Sequence, residues 1–208
     1  MERFSFRLNV LIACEFSGIV RDAFIAEGHE AYSVDLLPSE RPGPHYTGDV
    51  LELLDQKMFT DKLDLMIAFP PCTYLANSGV RWLYGGKGTD IDGERWEKME
   101  QGAEFFNMLL NGYDIPRVAI ENPIMHKYAR QRIDGAPTQI IQPWQFGHGE
   151  TKATQLWLKN LPPLVPTNIV DGRNPRVHFA SPSPNRWAER SRTLTGIAEA
   201  MAKQWGQS

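Results

Sequence analysis

Short apolar runs alternate along this chain with stretches whose apolar positions recur every three or four residues. Leu8-Asn-Val-Leu-Ile-Ala-Cys14 is apolar over a strand's length and breaks at Glu15-Phe-Ser-Gly18; Val20, Ala23, Phe24 and Ala26 then hold helical spacing as far as Gly28. His29–Asp35 reads as a second strand ending in an acid, 17 positions after Gly18, and a third acid, Asp49, follows in Thr47-Gly-Asp-Val50. Asp64-Leu-Met-Ile-Ala-Phe is another apolar run, closed by Pro70-Pro71. Glu94–Asn111 places Trp96, Met99, Ala103, Phe106 and Leu110 on one helical face, which reads as a core stripe. Arg117–Pro123 is a strand delivering Glu121 and Asn122 at its carboxyl end, Thr138–Gln142 and Thr154–Leu158 carry strand signals, and a last helix runs from about Thr195 to Trp205. Arg81–Gly93 is too rich in Gly and polar residues to be an element, and is long enough to act as a lid. The alternation predicts an α/β fold with a mostly parallel sheet and helices on both faces.

Composition narrows this to a single domain of residues 1–208 without repeats or disorder: 42% hydrophobic and 23% charged over 208 residues. No signal-peptide pattern and no bilayer-length apolar run is present, so a cytoplasmic protein is expected. Two cysteines in unrelated contexts and five scattered histidines point to neither a disulfide framework nor a structural zinc site, and no metal is needed to explain the chain. The net charge of −3 hides a polarity: residues 1–116 hold 10 Lys and Arg against 19 Asp and Glu, whereas residues 117–208 hold 12 against 6. Five of the later arginines, Arg173, Arg176, Arg186, Arg190 and Arg192, share a Pro- and Asn-rich stretch with His178, Phe179 and Trp187, a mixture suited to phosphate contact and base stacking. The same arginines would also suit a solvated loop.

Two constellations carry chemistry. Pro70-Pro71 stiffens the backbone before Cys72, removes two ladder donors and presents the thiol to a polar loop, the placement of a nucleophile at a strand end. A buried structural thiol is the other use of such a residue. The Glu15–Gly18 turn with Asp35 has the separation of an α/β unit that binds a dinucleotide or nucleoside, the acid accepting from ribose hydroxyls. With one glycine where a dinucleotide turn carries three, a nucleoside without a pyrophosphate fits better, and S-adenosylmethionine is the candidate of that kind.

In this order the segments resemble the cytosine carbon-5 DNA methyltransferases, particularly compact phage-type members. Glu15-Phe-Ser-Gly18 is similar to the family's first cofactor turn, Val34-Asp35 to its second motif, Gly48-Asp49 to its third, Pro70-Pro-Cys72 to its nucleophile motif, Glu121-Asn-Pro123 to its Glu-Asn-Val motif and Gly196–Trp205 to its closing helix. The resemblance implies a Rossmann-like methyltransferase fold, in the cytoplasm of a bacterium or phage-infected host. It implies S-adenosylmethionine held by Phe16, Ser17, Gly18, Asp35, Leu36, Asp49 and Pro71, and catalysis by Cys72, Glu121, Asn122 and Lys152. DNA, duplex or single-stranded, would be the partner, with Arg173, Arg176, Arg186, Arg190 and Arg192 as its contacts. The chain departs from the family in three places. Ile19-Val20 stands where more glycine is usual, and Gly147–Gln155, with Lys152, replaces an arginine motif that helps to hold the base. Residues 159–192 form a short basic loop region where a recognition domain would be.

Three other readings stay open. Phe69 and Cys72 occupy the positions where an amino methyltransferase needs an acid or amide and an aromatic. The same thiol chemistry serves RNA, single-stranded DNA or a free pyrimidine nucleotide, and a non-catalytic nucleic-acid-binding relative would keep the fold alone.

Overall fold

The computed structural model describes residues 7–84, 91–175 and 186–207. Arg176, His178, Phe179 and the 85–90 part of the expected lid lie outside them, as do the side chains of Arg186 and Trp187. Seven strands, β1 (Asn9–Ala13), β2 (Glu30–Asp35), β3 (His45–Thr47), β4 (Leu65–Ala68), β5 (Arg117–Pro123), β6 (Gln139–Ile141) and β7 (Thr154–Lys159), form one sheet in the order β3-β2-β1-β4-β5-β7-β6. The first five are parallel and β7 runs antiparallel between β5 and β6. This order, with its reversed strand, is the Rossmann-like methyltransferase fold.

The central strands read as unbroken apolar runs because both sheet faces are covered. Val10, Ile12, Leu65, Ile67 and Ala119 point to one face, under helix α1 (Ile19–Ala26) and the closing helix Thr195–Trp205. Leu11, Ala13, Met66, Ala68 and Ile120 point to the other, under α2 (Val50–Leu54), α3 (Lys57–Thr60), α4 (Gly93–Asn111) and α5 (Lys127–Arg130). Of the predicted stripe on α4, Met99, Ala103, Phe106 and Leu110 are buried and Trp96 half-buried. Phe106 meets Trp157 of β7 edge to face at 4.9 Å, a contact contributing about 1 kcal/mol beyond area burial. Trp205 is fully buried and donates to the Pro162 carbonyl at 2.9 Å, tying the closing helix to the segment after β7. Among the described residues no helix is long and apolar enough to cross a membrane.

Order in the 81–93 stretch extends further than its composition indicates. Asn77–Leu83 is a 3-10 helix, Leu83 is buried with its carbonyl accepting from Trp96 Nε1 at 3.1 Å, and Tyr84 pairs with Ile91. Asp92 caps α4 by accepting from the Arg95 amide at 3.1 Å. The expected lid is therefore anchored at both ends, because Leu83 and Tyr84 find apolar and aromatic neighbours far away in sequence that a local reading does not see.

Candidate active site

The carboxyl ends of β1, β4 and β5 lie side by side, at the switch point where the strand order reverses and α/β sheets bind ligands. Ala13 pairs with Ala68 and Ala68 with Ile120, so Cys14, Phe69 and Glu121 follow at one level, the first two just past their strands and Glu121 still within β5 and paired with Leu156. The turn after Cys72 is closed by bonds from the Leu75 and Ala76 amides to the Cys72 carbonyl, at 3.1 and 2.9 Å. It is then fastened to the segment after β5: Asn77 donates to Ile124 O at 2.8 Å, His126 N to Leu75 O at 3.1 Å, and His126 Nε2 to Tyr74 O at 2.9 Å. His126 Nδ1 accepts from the Ala129 amide at 3.0 Å, which fixes the neutral tautomer with its proton on Nε2. The segments that follow Cys72 and Glu121 are thus fastened to each other.

Electrostatics joins the same two groups. Burial pushes the Cys72 thiol up, and the Glu121 carboxylate pushes it further; Lys152 and Arg190 pull it down. Glu121 is itself pushed up by burial, against the opposing effects of Lys152 and the Thr154 hydroxyl. Lys152 is fixed through its backbone: its amide donates to Gln142 Oε1 at 3.1 Å and its carbonyl accepts from Thr154 Oγ1 at 3.0 Å. Its Nζ donates to the Arg190 carbonyl at 2.9 Å. A cleft lined by Phe69, Glu121, Lys152, Thr154, Arg192 and Leu194 opens beside Glu121, and Cys72 is not part of its lining. Glu121 and Asn122 leave opposite faces of β5, as adjacent strand residues must. Asn122 is fully buried; its Nδ2 donates to Pro123 O at 2.6 Å and its Oδ1 has no hydrogen-bond partner among the described residues.

The other half of the crevice holds the residues expected to bind a nucleoside. Cys14 takes a left-handed conformation, φ 57°, and its thiol is pushed up to about 12 by burial, then by Asp35 and Asp49. Both carboxylates thus act on the thiol at the end of β1. Asp35 ends β2, accepts from the Leu37 amide at 2.9 Å, and is pushed up by burial. Asp49 follows β3 and caps α2 by accepting from the Leu51 amide at 2.8 Å. Phe16 and Ser17 are buried, whereas Leu36 and Pro71 are exposed. Gly18 has φ 71°, and a Cβ there would meet Arg21 Nη2 at 2.6 Å, so its missing side chain makes room for an arginine of the protein itself.

Sequence reasoning passed over that arginine and Glu15. Glu15 is buried and caps α1: its Oε1 accepts from Val20 N at 2.8 Å and Ser17 Oγ at 2.9 Å. Arg21 is fully buried and organises the loop after β2, donating to Asp22 at 2.7 Å, Ser33 Oγ at 3.2 Å, Ser39 Oγ at 3.1 Å and Pro42 O at 3.0 Å. Arg21 sits on the first turn of α1 and Glu15 in the turn before it, places where a local reading assigns a charge to solvent.

Of the basic stretch, Arg173 is exposed, stacks 3.9 Å over the Trp144 ring and donates to Val170 O at 2.9 Å. Arg190 belongs to a short helix, Arg186–Ser191, whose end borders the cleft. Arg192 forms a two-pronged ion pair with Glu40, at 2.7 and 2.6 Å. The described part of 160–175 folds back on the segment before β7, with Gly147 N donating to Asn168 O at 2.7 Å and Val170 N to Trp144 O at 3.0 Å. Cys14 and Cys72 are both free thiols, and among the described residues no group of three or more His, Cys, Asp or Glu is placed to hold a metal ion.

No family model matches the chain, and no curated protein matches it. Among solved structures it is similar to a protein named as a candidate DNA modification methyltransferase encoded within an E. coli prophage, at 15% identity and a TM-score of 0.49, covering 85% of this chain and 56% of that one. It is also similar to a mutant of Spodoptera frugiperda DNMT2, at 12% identity and a TM-score of 0.38, covering 80% of this chain and 54% of that one. The chain spans just over half the length of each. The fold is recognised from its own strand order and register.

Proposed function

We propose that the chain is an S-adenosylmethionine-dependent cytosine-5 DNA methyltransferase with Cys72 as nucleophile and Glu121 as the acid that binds the base. One observation carries the reading. Adjacent parallel strands lead to a thiol and a carboxyl group at the switch point, the Glu121 carboxylate raising the thiol and the Lys152 ammonium acting on both.

The cofactor half fits a nucleoside on its own donor set. Asp35 and Asp49, which both act on Cys14, would offer carboxylates to ribose hydroxyls, with Phe16 and Ser17 from the turn after β1 and Leu36 from the end of β2 beside the nucleoside. When bound, S-adenosylmethionine supplies a methyl group on a sulfonium centre, which an electron-rich carbon can attack. Carbon 5 of cytosine lacks that electron density. Addition of the Cys72 thiolate to carbon 6 provides it by moving the ring electrons toward carbon 5 and nitrogen 3. Glu121, kept protonated more readily by burial, donates at nitrogen 3 and accepts from the exocyclic amine. Asn122, buried on the other face of β5, fixes the strand end rather than touching the base. Lys152 replaces the family's base-holding arginine as a point charge beside both groups. Once carbon 5 carries the methyl group, loss of its proton to water and return of the nitrogen 3 proton to Glu121 expel the Cys72 thiolate and restore the ring. In duplex DNA the base must leave the stack to reach this cleft.

A second reading, the same chemistry on a single strand, RNA or a free pyrimidine nucleotide, is favoured by the engagement of Arg192 with Glu40, which removes one cation from the expected phosphate grip. One experiment separates them: incubation with methyl-labelled S-adenosylmethionine and duplex DNA, single-stranded DNA, RNA or dCMP, followed by digestion and identification of the methylated nucleoside. Label in 5-methyldeoxycytidine from duplex DNA is the expected result. Label confined to another substrate selects the second reading, and no label in any arm overturns both.

A further inference from the structure

We propose that residues 190–194 form a strap that closes the cleft beside Glu121, latched by the ion pair between Arg192 and Glu40, and that the strap must lift before a base can meet Glu121. The cleft has a volume of about 20 Å³, which holds one water molecule and no pyrimidine ring. Of its lining, Glu121 and Thr154 belong to the sheet, whereas Ser191, Arg192, Thr193 and Leu194 come from the strap. The strap is therefore the wall that can give way without disturbing the sheet.

One end of the strap is fixed and the other is latched. Beyond Leu194 the Gly196 amide donates to His148 Nε2 at 3.1 Å, and a Cβ at Gly196 would overlap the Phe146 carbonyl, so the closing helix starts in close contact with that segment. At the other end both Glu40 oxygens accept from Arg192, at 2.7 and 2.6 Å, and the Arg190 carbonyl accepts from Lys152 Nζ at 2.9 Å. Glu40 is a firm post: its amide donates to Phe16 O at 2.9 Å, and buried Arg21 holds its neighbours Ser39 and Arg41. The latch itself is weak enough to open reversibly, since the Arg192 and Glu40 side chains are 34% and 37% exposed and ion pairs of that exposure contribute little. Lifting the strap also parts Lys152 Nζ from the Arg190 carbonyl, which frees the ammonium proposed to hold the base.

That a base enters here rests on the proposed function, yet the strap can be followed without any methyl transfer. The full chain, with neither cofactor nor nucleic acid present, is acetylated with an N-hydroxysuccinimide ester, and peptide mapping reads the rates at Lys152 and at the exposed Lys203. Glu40→Gln should speed acetylation of Lys152 about 2- to 5-fold and leave Lys203 unchanged, because the lost ion pair reaches Lys152 only through the strap. Arg192→Gln should do the same, and the double variant should be no faster than either single one. A parental rate at Lys152 in both single variants overturns the proposal. So does an equal acceleration at Lys203, which would mean general loosening, and so do accelerations that multiply in the double variant, since the two residues would then act apart. Failure of the chain to methylate any substrate leaves the labelling result unaffected, and a parental labelling rate leaves the methylation assay unaffected, so the two readings fail separately.

Discussion

Replacing Arg21 by methionine should destabilise the protein by about 1 to 3 kcal/mol, because it takes a donor from the buried Ser33 hydroxyl while preserving most of the side chain's apolar stem. The guanidinium is fully buried and donates to Asp22, Ser33 Oγ, Ser39 Oγ and the Arg41 and Pro42 carbonyls. Asp22 is 34% exposed, so its carboxylate regains water and its loss counts for little. Ser33 is fully buried, and its Oγ retains only the His45 bond at 2.8 Å. Ser39 is half-buried and Arg41 and Pro42 are exposed, so their oxygens regain water as well; the acceptor left dry, Ser33 Oγ, costs about 1 to 3 kcal/mol and gives the stated total. Urea unfolding followed by tryptophan fluorescence measures it, with Arg21→Lys falling between parent and Arg21→Met because an ammonium cannot span the same acceptors. The loop after β2 should also lose its shape, and with it part of any affinity for a nucleoside at Asp35. A loss below about 1 kcal/mol for Arg21→Met, at unchanged m-value, would show that water replaces the guanidinium freely and that the network does not organise the loop.

Asp35→Ala should weaken S-adenosylmethionine binding by about 1 to 3 kcal/mol, the worth of hydrogen bonds to a charged acceptor, and calorimetry returning the parent's Kd would place the cofactor elsewhere. His126 is held neutral by burial, so its imidazole protonates below the ordinary 6.5. The unfolded chain takes up that proton first, so stability is complete above 6.5 and falls as pH drops toward the folded value; this slope should be missing in His126→Gln, and equal slopes for the two proteins would contradict it. Neutralising Arg173, Arg176 and Arg186 together should weaken DNA binding alike on all sequences and reduce the slope of log affinity against log salt by about 2 to 3, whereas an unchanged slope would make the segment a solvated loop.

The strands that build the crevice were legible because burial on both faces leaves an uninterrupted apolar signature at Leu65–Ala68 and Val118–Ile120. The α4 stripe was legible for the corresponding reason on one face. His45–Thr47 was not, being three residues long with none buried, and neither was the 3-10 helix over Asn77–Leu83, whose order comes from bonds to Ile124 and Trp96. At the candidate site, Cys72 and Glu121 could be read because each ends an apolar run. Lys152 could be named but not placed, since its partner is a backbone carbonyl 38 residues away. Charge counting saw the acidic and basic halves without seeing that Arg192 and Glu40 join them across 152 residues, so that part of the polarity is neutralised internally.

The central claim is that Cys72 forms a covalent bond to carbon 6 of the target base, and a duplex carrying 5-fluorocytosine tests it most directly. Fluorine leaves no proton to remove at carbon 5, so the thiol cannot be expelled after methyl transfer. With S-adenosylmethionine present, a protein–DNA band should survive denaturation, peptide mass spectrometry should place the adduct on Cys72, and Cys72→Ser should abolish it. Methylation of ordinary cytosine by this chain with no trapped band, or a trapped band on Cys14, would contradict the account.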